Sequence, residues 1–325
     1  MKRIHLAVES YAERIATASA RIGARVEVGP EVLDRSDTIA LQLPGKTSSN
    51  GCARMVRAVD GWLAVNLPRQ SDWELMPAWL HEDANDWTDV TRCCAQRTTR
   101  ALLEQSRVLG LAVTMVGEAR ELLANQQPAA RPRGDATVAV RVVDLSALWA
   151  GPLCAALLAK AGADVVKIED QRRPDPTPEP LSRRLNQAKR KAVFEFSEAE
   201  GRKALHAELH MADVIVTSAR PRAFLHLGLA PAVLFAQKPS LLWVAITAHG
   251  WSGQHSDRIG FGDDTAAAGG LVNWHDGEPA FVGDAVADPL TGLAAAAAAL
   301  EAISCGRCGL LDIALAPTAA AASQC

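Results

Sequence analysis

The chain has 325 residues and a mass of 34.5 kDa, with 22% charged residues, 49% from the AVILMFWYC set and a formal net charge of −3. That length exceeds one small core and predicts about two domains, and the composition is globular rather than disordered. With 34 Lys+Arg against 37 Asp+Glu there is no basic field, which argues against a general nucleic-acid binder. The longest uncharged apolar run, Leu290 to Leu300, falls short of the roughly 18–20 residues of a membrane helix. Glu9, Glu13 and Arg14 interrupt any signal-peptide core. Seven thinly spread cysteines fit a reducing compartment, so the expected location is cytoplasmic.

In chain order, Ile4 to Ile22 reads as a helix, with apolar residues near 3.6 spacing. Trp62, Leu63, Val65 and Leu67 form a short strand after the turn-like Asp60-Gly61. Trp73 to Leu80 and Arg97 to Leu109 read as helices. Trp62, Trp73, Trp79 and Trp87 are read as core. Gln127 to Gly134 (QPAARPRG) has linker composition, which divides the chain into a small domain at 1–127, a linker at 128–135 and a second domain at 136–325.

Beyond the linker, strands are expected at Val138–Leu145, Asp164–Glu169, Val193–Phe196, Val214–Val216, Leu241–Ile246 and Leu310–Leu315. Helices are expected at Ala150–Ala161, Glu198–Met211 and Leu290–Ile303. This alternation predicts an α/β fold: a Rossmann-like, mainly parallel sheet beside a smaller α+β domain. Such sheets bind ligands beyond the carboxyl ends of their strands.

Several chemical motifs are absent or weak. No Gly-x-Gly-x-x-Gly follows the first strand, and there is no P-loop and no Gly-x-Ser-x-Gly. Cys305-Gly-Arg-Cys308 reads as a turn with two bystander thiols, and Cys93-Cys94 as structural. The eight histidines lack metal-ligand spacing, so no metal is expected. Asp288-Pro289 opens the Ala-rich helix, where an aspartate has two readings. It is an N-cap, or it is a carboxylate held ionised by the helix dipole and poised as a nucleophile.

Residues 140–170 (VRVVDLSALWAGPLCAALLAKAGADVVKIED) resemble the opening of the family III CoA-transferases, the CaiB/BaiF group that includes formyl-CoA transferase and α-methylacyl-CoA racemase. Asn186-Gln-Ala-Lys189-Arg190, Ala212 to Val216, Leu227-Gly228-Leu229, Arg258 to Leu271, Asp276-Gly277, Asp288 to Gly292, Gly306-Arg307 and Leu311 to Leu315 follow in the family's order. The resemblance implies an acyl-CoA:carboxylate CoA-transferase with Asp288 as nucleophile, working through an aspartyl anhydride and an aspartyl-CoA thioester. It implies coenzyme A as the carried group, an acyl-CoA and a carboxylic acid as substrates, and an interlocked homodimer. Its CoA contacts carry over onto Leu148, Trp149, Ala150, Lys189, Arg190, Ser218 and His226. Lys167 in the second strand, with Arg172 and Arg173 after it, lies where cations either meet CoA phosphates or form a solvated tip.

Gly51 to Val65 resembles a strand of the family's small domain, so the domain order reads as permuted, and Gly45 to Gly51 is the only candidate for its glycine loop. The racemases carry a histidine in a Gly-His-Asp segment where this chain has Phe261. Without a second acid/base group, transfer is favoured over epimerisation. An acyl-CoA-binding protein of the same fold, with lost or weak turnover, is the other alternative.

Overall fold

The computed structural model describes residues 1–119 and 139–325; the Gln127–Gly134 segment and Val138 lie outside the described residues. The first part runs through helix α1 (Lys2–Ser19), a 3-10 turn at Pro30–Leu33, strands β1 (Ala53–Arg57) and β2 (Trp62–Asn66), and helices α2 (Gln70–Glu74), α3 (Met76–Leu80), α4 (Trp87–Cys94) and α5 (Thr99–Leu109). It closes with strand β3 (Ala112–Met115). β1, β2 and β3 pair in that order as an antiparallel sheet. The single helix expected over Trp73–Leu80 is two short ones. Pro77 lies in the first turn of α3 and has no N–H with which to continue the preceding helix.

The second part contains β4 (Arg141–Leu145), α6 (Ala150–Lys160), β5 (Asp164–Asp170), α7 (Leu181–Asn186), β6 (Arg190–Phe194), α8 (Ala199–Met211), β7 (Val214–Thr217), α9 (Pro221–His226), α10 (Pro231–Gln237) and β8 (Leu242–Thr247). It continues with α11 (Gly262–Ala268), the hairpin β9 (Val272–His275) and β10 (Glu278–Phe281), α12 (Ala287–Ser304), β11 (Gly309–Ala314) and α13 (Leu315–Ala322). Six strands form one sheet in the order β6-β5-β4-β7-β8-β11, and every pairing is parallel. This is the doubly wound arrangement expected from the sequence.

A parallel sheet is covered on both faces, so its strands read as continuous apolar runs. Every residue of β7 and β8 is buried. Alternate residues feed two cores. Val142, Val214, Val216, Val244 and Ile246 pack with α6 and α12, while Val143, Ile215 and Trp243 pack with Leu205 and Leu209 of α8 and Phe224 of α9. α12 is apolar around nearly its whole circumference because it lies between α1, α6 and α13. It touches α6 closely at Gly292, where an added Cβ would lie 2.7 Å from the Ala150 carbonyl oxygen.

α1 joins this same core through Ile4, Ala7, Val8 and Ile15, and Arg14 holds Glu301 of α12 by two hydrogen bonds of 2.7 and 2.9 Å. A separate core gathers Val56, Leu63, Trp79, Val90, Cys93, Cys94 and Leu102. Trp79 donates its indole N–H to the Leu102 carbonyl at 2.9 Å, and Trp73 meets Trp87 edge-on at 5.1 Å. The two cores meet where Ala53, Met55 and Ala64 pack against Ala267 of α11 and Phe281. Cys305 and Cys308 lie in the turn between α12 and β11, the first exposed and the second buried. Among the described residues, no helix is long and apolar enough to cross a membrane.

Candidate active site

The strand order reverses at β4, which has β5 on one side and β7 on the other. Two adjacent loops therefore diverge there and leave a crevice at the carboxyl ends of the strands. The loop after β4 is fixed from below. Lys167 is buried, with its Nζ on the Ser146 carbonyl and 2.9 Å from Asp175, and Asp175 in turn accepts the Leu148 N–H. Lys189 binds Asp144 and the Pro152 carbonyl at 2.8 and 2.9 Å, with its side chain also sealed from water. The loop after β7 is tied across the crevice, where Ser218 Oγ accepts the Ala147 N–H at 2.8 Å. The resulting cleft, about 340 Å³, is lined by Leu148, Ala150, Arg173, Ser218 and Arg220, with Arg69 and Phe261 opposite and Asp288 on its wall.

Asp288 is the second residue of α12, and Val286 occupies the N-cap position. The capping reading is corrected here. The helix starts earlier than Asp288 because the chain turns at Ala285, which has φ +45°, and the Asp288 N–H bonds the Ala285 carbonyl at 2.9 Å. Among the described residues nothing hydrogen-bonds the Asp288 carboxylate, which leaves it to face the cleft. Gly262, at the start of α11, lies directly against it. A Cβ there would stand 2.4 Å from the Ala285 oxygen and 2.6 Å from Asp288 Oδ2, so only glycine fits.

Three further carboxylates surround this one. Asp263 accepts the Ala285 N–H at 2.8 Å and the Asn50 amide at 2.7 Å. Asp264 accepts the Phe261 N–H at 2.8 Å and the Asn66 amide at 3.0 Å. Asp284 is clamped by both arms of the Arg35 guanidinium, at 2.5 and 2.9 Å. Removal from water pushes Asp288 up to about 7; Arg35 pulls the other way, and Asp263, Asp264 and Asp284 add to the rise. Burial likewise raises Asp263 to about 6 and Asp264 to about 7. The expectation that the helix start holds Asp288 in its charged form is therefore corrected. Desolvation and three like charges outweigh the roughly 0.3–1 kcal/mol of a surface dipole interaction.

Of the residues assigned to CoA from the sequence, Leu148, Ala150, Arg173 and Ser218 line the cleft. Lys167 and Lys189 are corrected to framework roles, because both are sealed in ion pairs beneath the loops. Trp149 is buried on the other side of its loop, where it stacks under Arg35 at 4.9 Å. Arg172 pairs with Glu195 and Arg190 with Asp164 on the exposed surface, and His226 lies exposed at the end of α9, away from the cleft. The sequence reading missed Arg35, Asn50, Asn66 and Arg69, all from the first part of the chain. Asn66 carried a signal as a polar residue ending the apolar run WLAVN, and Asn50 lay within the 45–51 stretch singled out above. The candidate glycine loop at 45–51 does reach the carboxylates, through Asn50.

The description "CoA-transferase family III" fits a family model that matches residues 139–325, more than half of the chain. The chain belongs to CoA-transferase family III. The succinyl-CoA–D-citramalate CoA-transferase of Chloroflexus aurantiacus is 30% identical over 194 residues, covering 56% of this chain and 47% of that protein. The succinate–glutarate CoA-transferase of Agrobacterium fabrum is 29% identical over 199 residues, covering 54% and 50%. This family III chain thus spans about half the length of the curated relatives it matches. Among solved structures, a CaiB/BaiF family protein from Brucella suis superposes with a TM-score of 0.52 at 25% identity, over 59% of this chain and 55% of that one. A hypothetical protein of Mycobacterium tuberculosis gives 0.53 at 25% identity, over 61% and 58%.

Proposed function

We propose that the chain is an acyl-CoA:carboxylate CoA-transferase whose nucleophile is Asp288. One observation carries the reading: a carboxylate without a hydrogen-bond partner opens on the ligand crevice of a Rossmann-like sheet, beside Gly262, which leaves it room. Coenzyme A would lie along the loops after β4 and β7, past Leu148, Ala150 and Ser218. Arg173, Arg220 and Arg69 supply positive charge for its phosphates. The Asp288 carboxylate attacks the thioester carbonyl, the C–S bond breaks, and CoA leaves as the thiolate with a mixed anhydride on Asp288. The thiolate attacks the aspartyl carbonyl of that anhydride. This releases the donor acid and forms the aspartyl-CoA thioester. The acceptor carboxylate then repeats both steps in reverse order, which regenerates the Asp288 carboxylate with no net proton or electron change.

Phe261 lies on the cleft where a racemase would need an acid/base group, and none of His249, His255 and His275 lines it. That favours transfer over epimerisation. The first part of the chain is read as the family's small domain placed first, because its residues Arg35, Asn50 and Asn66 converge on the carboxylates. These contacts lie within a single chain. The protein is further proposed to be a cytoplasmic homodimer; light scattering that returned 34.5 kDa at micromolar concentration would refute the dimer.

A panel of acyl-CoA and free-acid pairs, read by mass spectrometry, tests the activity, with short dicarboxylic acyl groups first because relatives are named for them. Hydroxylamine added with an acyl-CoA should inactivate the protein and modify Asp288. Binding of CoA without that modification would mean a binder that does not turn over.

A further inference from the structure

Arg35 is the one cation named above that acts on Asp288, and it comes from a part of the chain outside the family match, just after the Pro30–Leu33 turn. Its guanidinium is held on two sides. One face stacks on Trp149 at 4.9 Å, and its edge makes two parallel hydrogen bonds to Asp284. Such a fork is fixed in direction as well as in charge. Asp284 sits on the turn that leads into α12, one residue before Ala285 with its φ of +45°. The same turn is tied a second time, by Asp263 accepting the Ala285 N–H, and Asn50 bridges Asp263 to Asp284 at 2.7 and 3.2 Å. A left-handed alanine persists only where its surroundings over-determine it. Asp288 follows three residues later, so whatever holds this turn also aims the carboxylate.

We infer that Arg35 is a positioning residue for the nucleophile: braced by Trp149, it clamps the turn that carries Asp288 and so aims that carboxylate from the N-terminal side. The inference rests on the reading of Asp288 as nucleophile for its chemical meaning, though not for its geometry. It also gives Trp149 a role other than contact with coenzyme A. The charged groups around Asp288 act in two senses. From α11 come Asp263 and Asp264, and from the preceding turn Asp284, all favouring the protonated form; Arg35 opposes them. Cys52 lies near Asp263, Asp284 and Arg35, and Arg69, Arg173, Arg220 and Arg258 stand around the cleft.

Removing Arg35 and removing Asp284 should therefore move Asp288 in opposite directions, which loss of packing alone would not do. The test is titration of the Asp288 carboxyl in the full chain labelled with 13Cγ-aspartate, its signal assigned by its absence in Asp288→Asn. Arg35→Gln should raise the midpoint by about one pH unit or more, Arg35→Lys should stay within about half a unit of wild type, and Asp284→Asn should lower it. Arg14→Gln, which cuts the other tie from the N-terminal region to α12, should leave it unchanged. An unmoved midpoint in Arg35→Gln, or a shift of the same sign in Asp284→Asn, overturns the inference. If Arg35→Gln does not fold, the sign of the Asp284→Asn shift decides alone. Turnover retained by Asp288→Asn would instead overturn the reading of Asp288 as nucleophile and leave the titration result standing.

Discussion

The two walls of the cleft are built on different physical terms. The wall from 139–325 is laid down by the parallel sheet: the crossover point fixes where the loops after β4 and β7 part, and buried Lys167 and Lys189 pin the first of them. The part from 1–119 has no such template: Arg69 lines the cleft, and three other residues act behind it on the carboxylates. Arg35 and Asn50 come from irregular chain, Asn66 from a strand end, and each reaches a carboxylate of the other half through one or two hydrogen bonds. Backbone topology thus builds the crevice, while burial first and then side-chain contacts across the seam set the charge of the proposed nucleophile.

The sharpest break in that comparison is at Asp288 itself. Asp288→Asn should reduce transfer to below a few per cent, because an amide cannot form the anhydride, and the fold should survive because no cap is lost. Its stability should also depend on pH in a stated sense. A carboxyl whose folded value is raised to about 7 from an unfolded value of 3.8 stabilises the fold fully below 3.8, and that contribution fades as pH rises through 7. Wild type should therefore lose melting temperature relative to Asp288→Asn between those limits; parallel curves would refute the raised value.

The framework reading of the lysines makes the next largest claim. Lys189→Met strands Asp144 in the core and should lower unfolding free energy by about 3–5 kcal/mol. Arg190→Gln, next in sequence but in an exposed pair, should change it by less than about 1 kcal/mol. Denaturant titration of both distinguishes them, and equal effects would return Lys189 to a ligand-facing role. A smaller effect is expected at the seam between α11 and α12. Gly262→Ala forces a methyl into the Ala285 carbonyl and Asp288, which should cost about 1–3 kcal/mol and reduce transfer more than tenfold. A variant with normal transfer would mean that Asp288 does not need its present position.

Most of the sheet was legible in the sequence because buried parallel strands leave unbroken apolar runs, such as VIVT and LWVAIT, that little else produces. The short helices α9 and α10 and the β9–β10 hairpin left no comparable pattern. Within the candidate site, Asp288 was singled out by its place in an ordered set of family motifs, and the structure sets it on the cleft wall. Of the residues read as CoA contacts only some line the cleft, since a lysine in a strand reads alike whether it points to a ligand or, as Lys167 does, to Ser146 and Asp175 beneath the loop.

By itself the sequence determined the alternation of strands and helices, hence the doubly wound sheet and the crevice at its crossover, because those follow from local periodicity and from the handedness of parallel connections. Only the tertiary structure decided the company that Asp288 keeps. Arg35 stands 249 residues from Asp284 in the chain, and Asn66 stands 198 from Asp264. Charge interactions depend on distance and burial in space, and no periodicity along the chain encodes either across such separations.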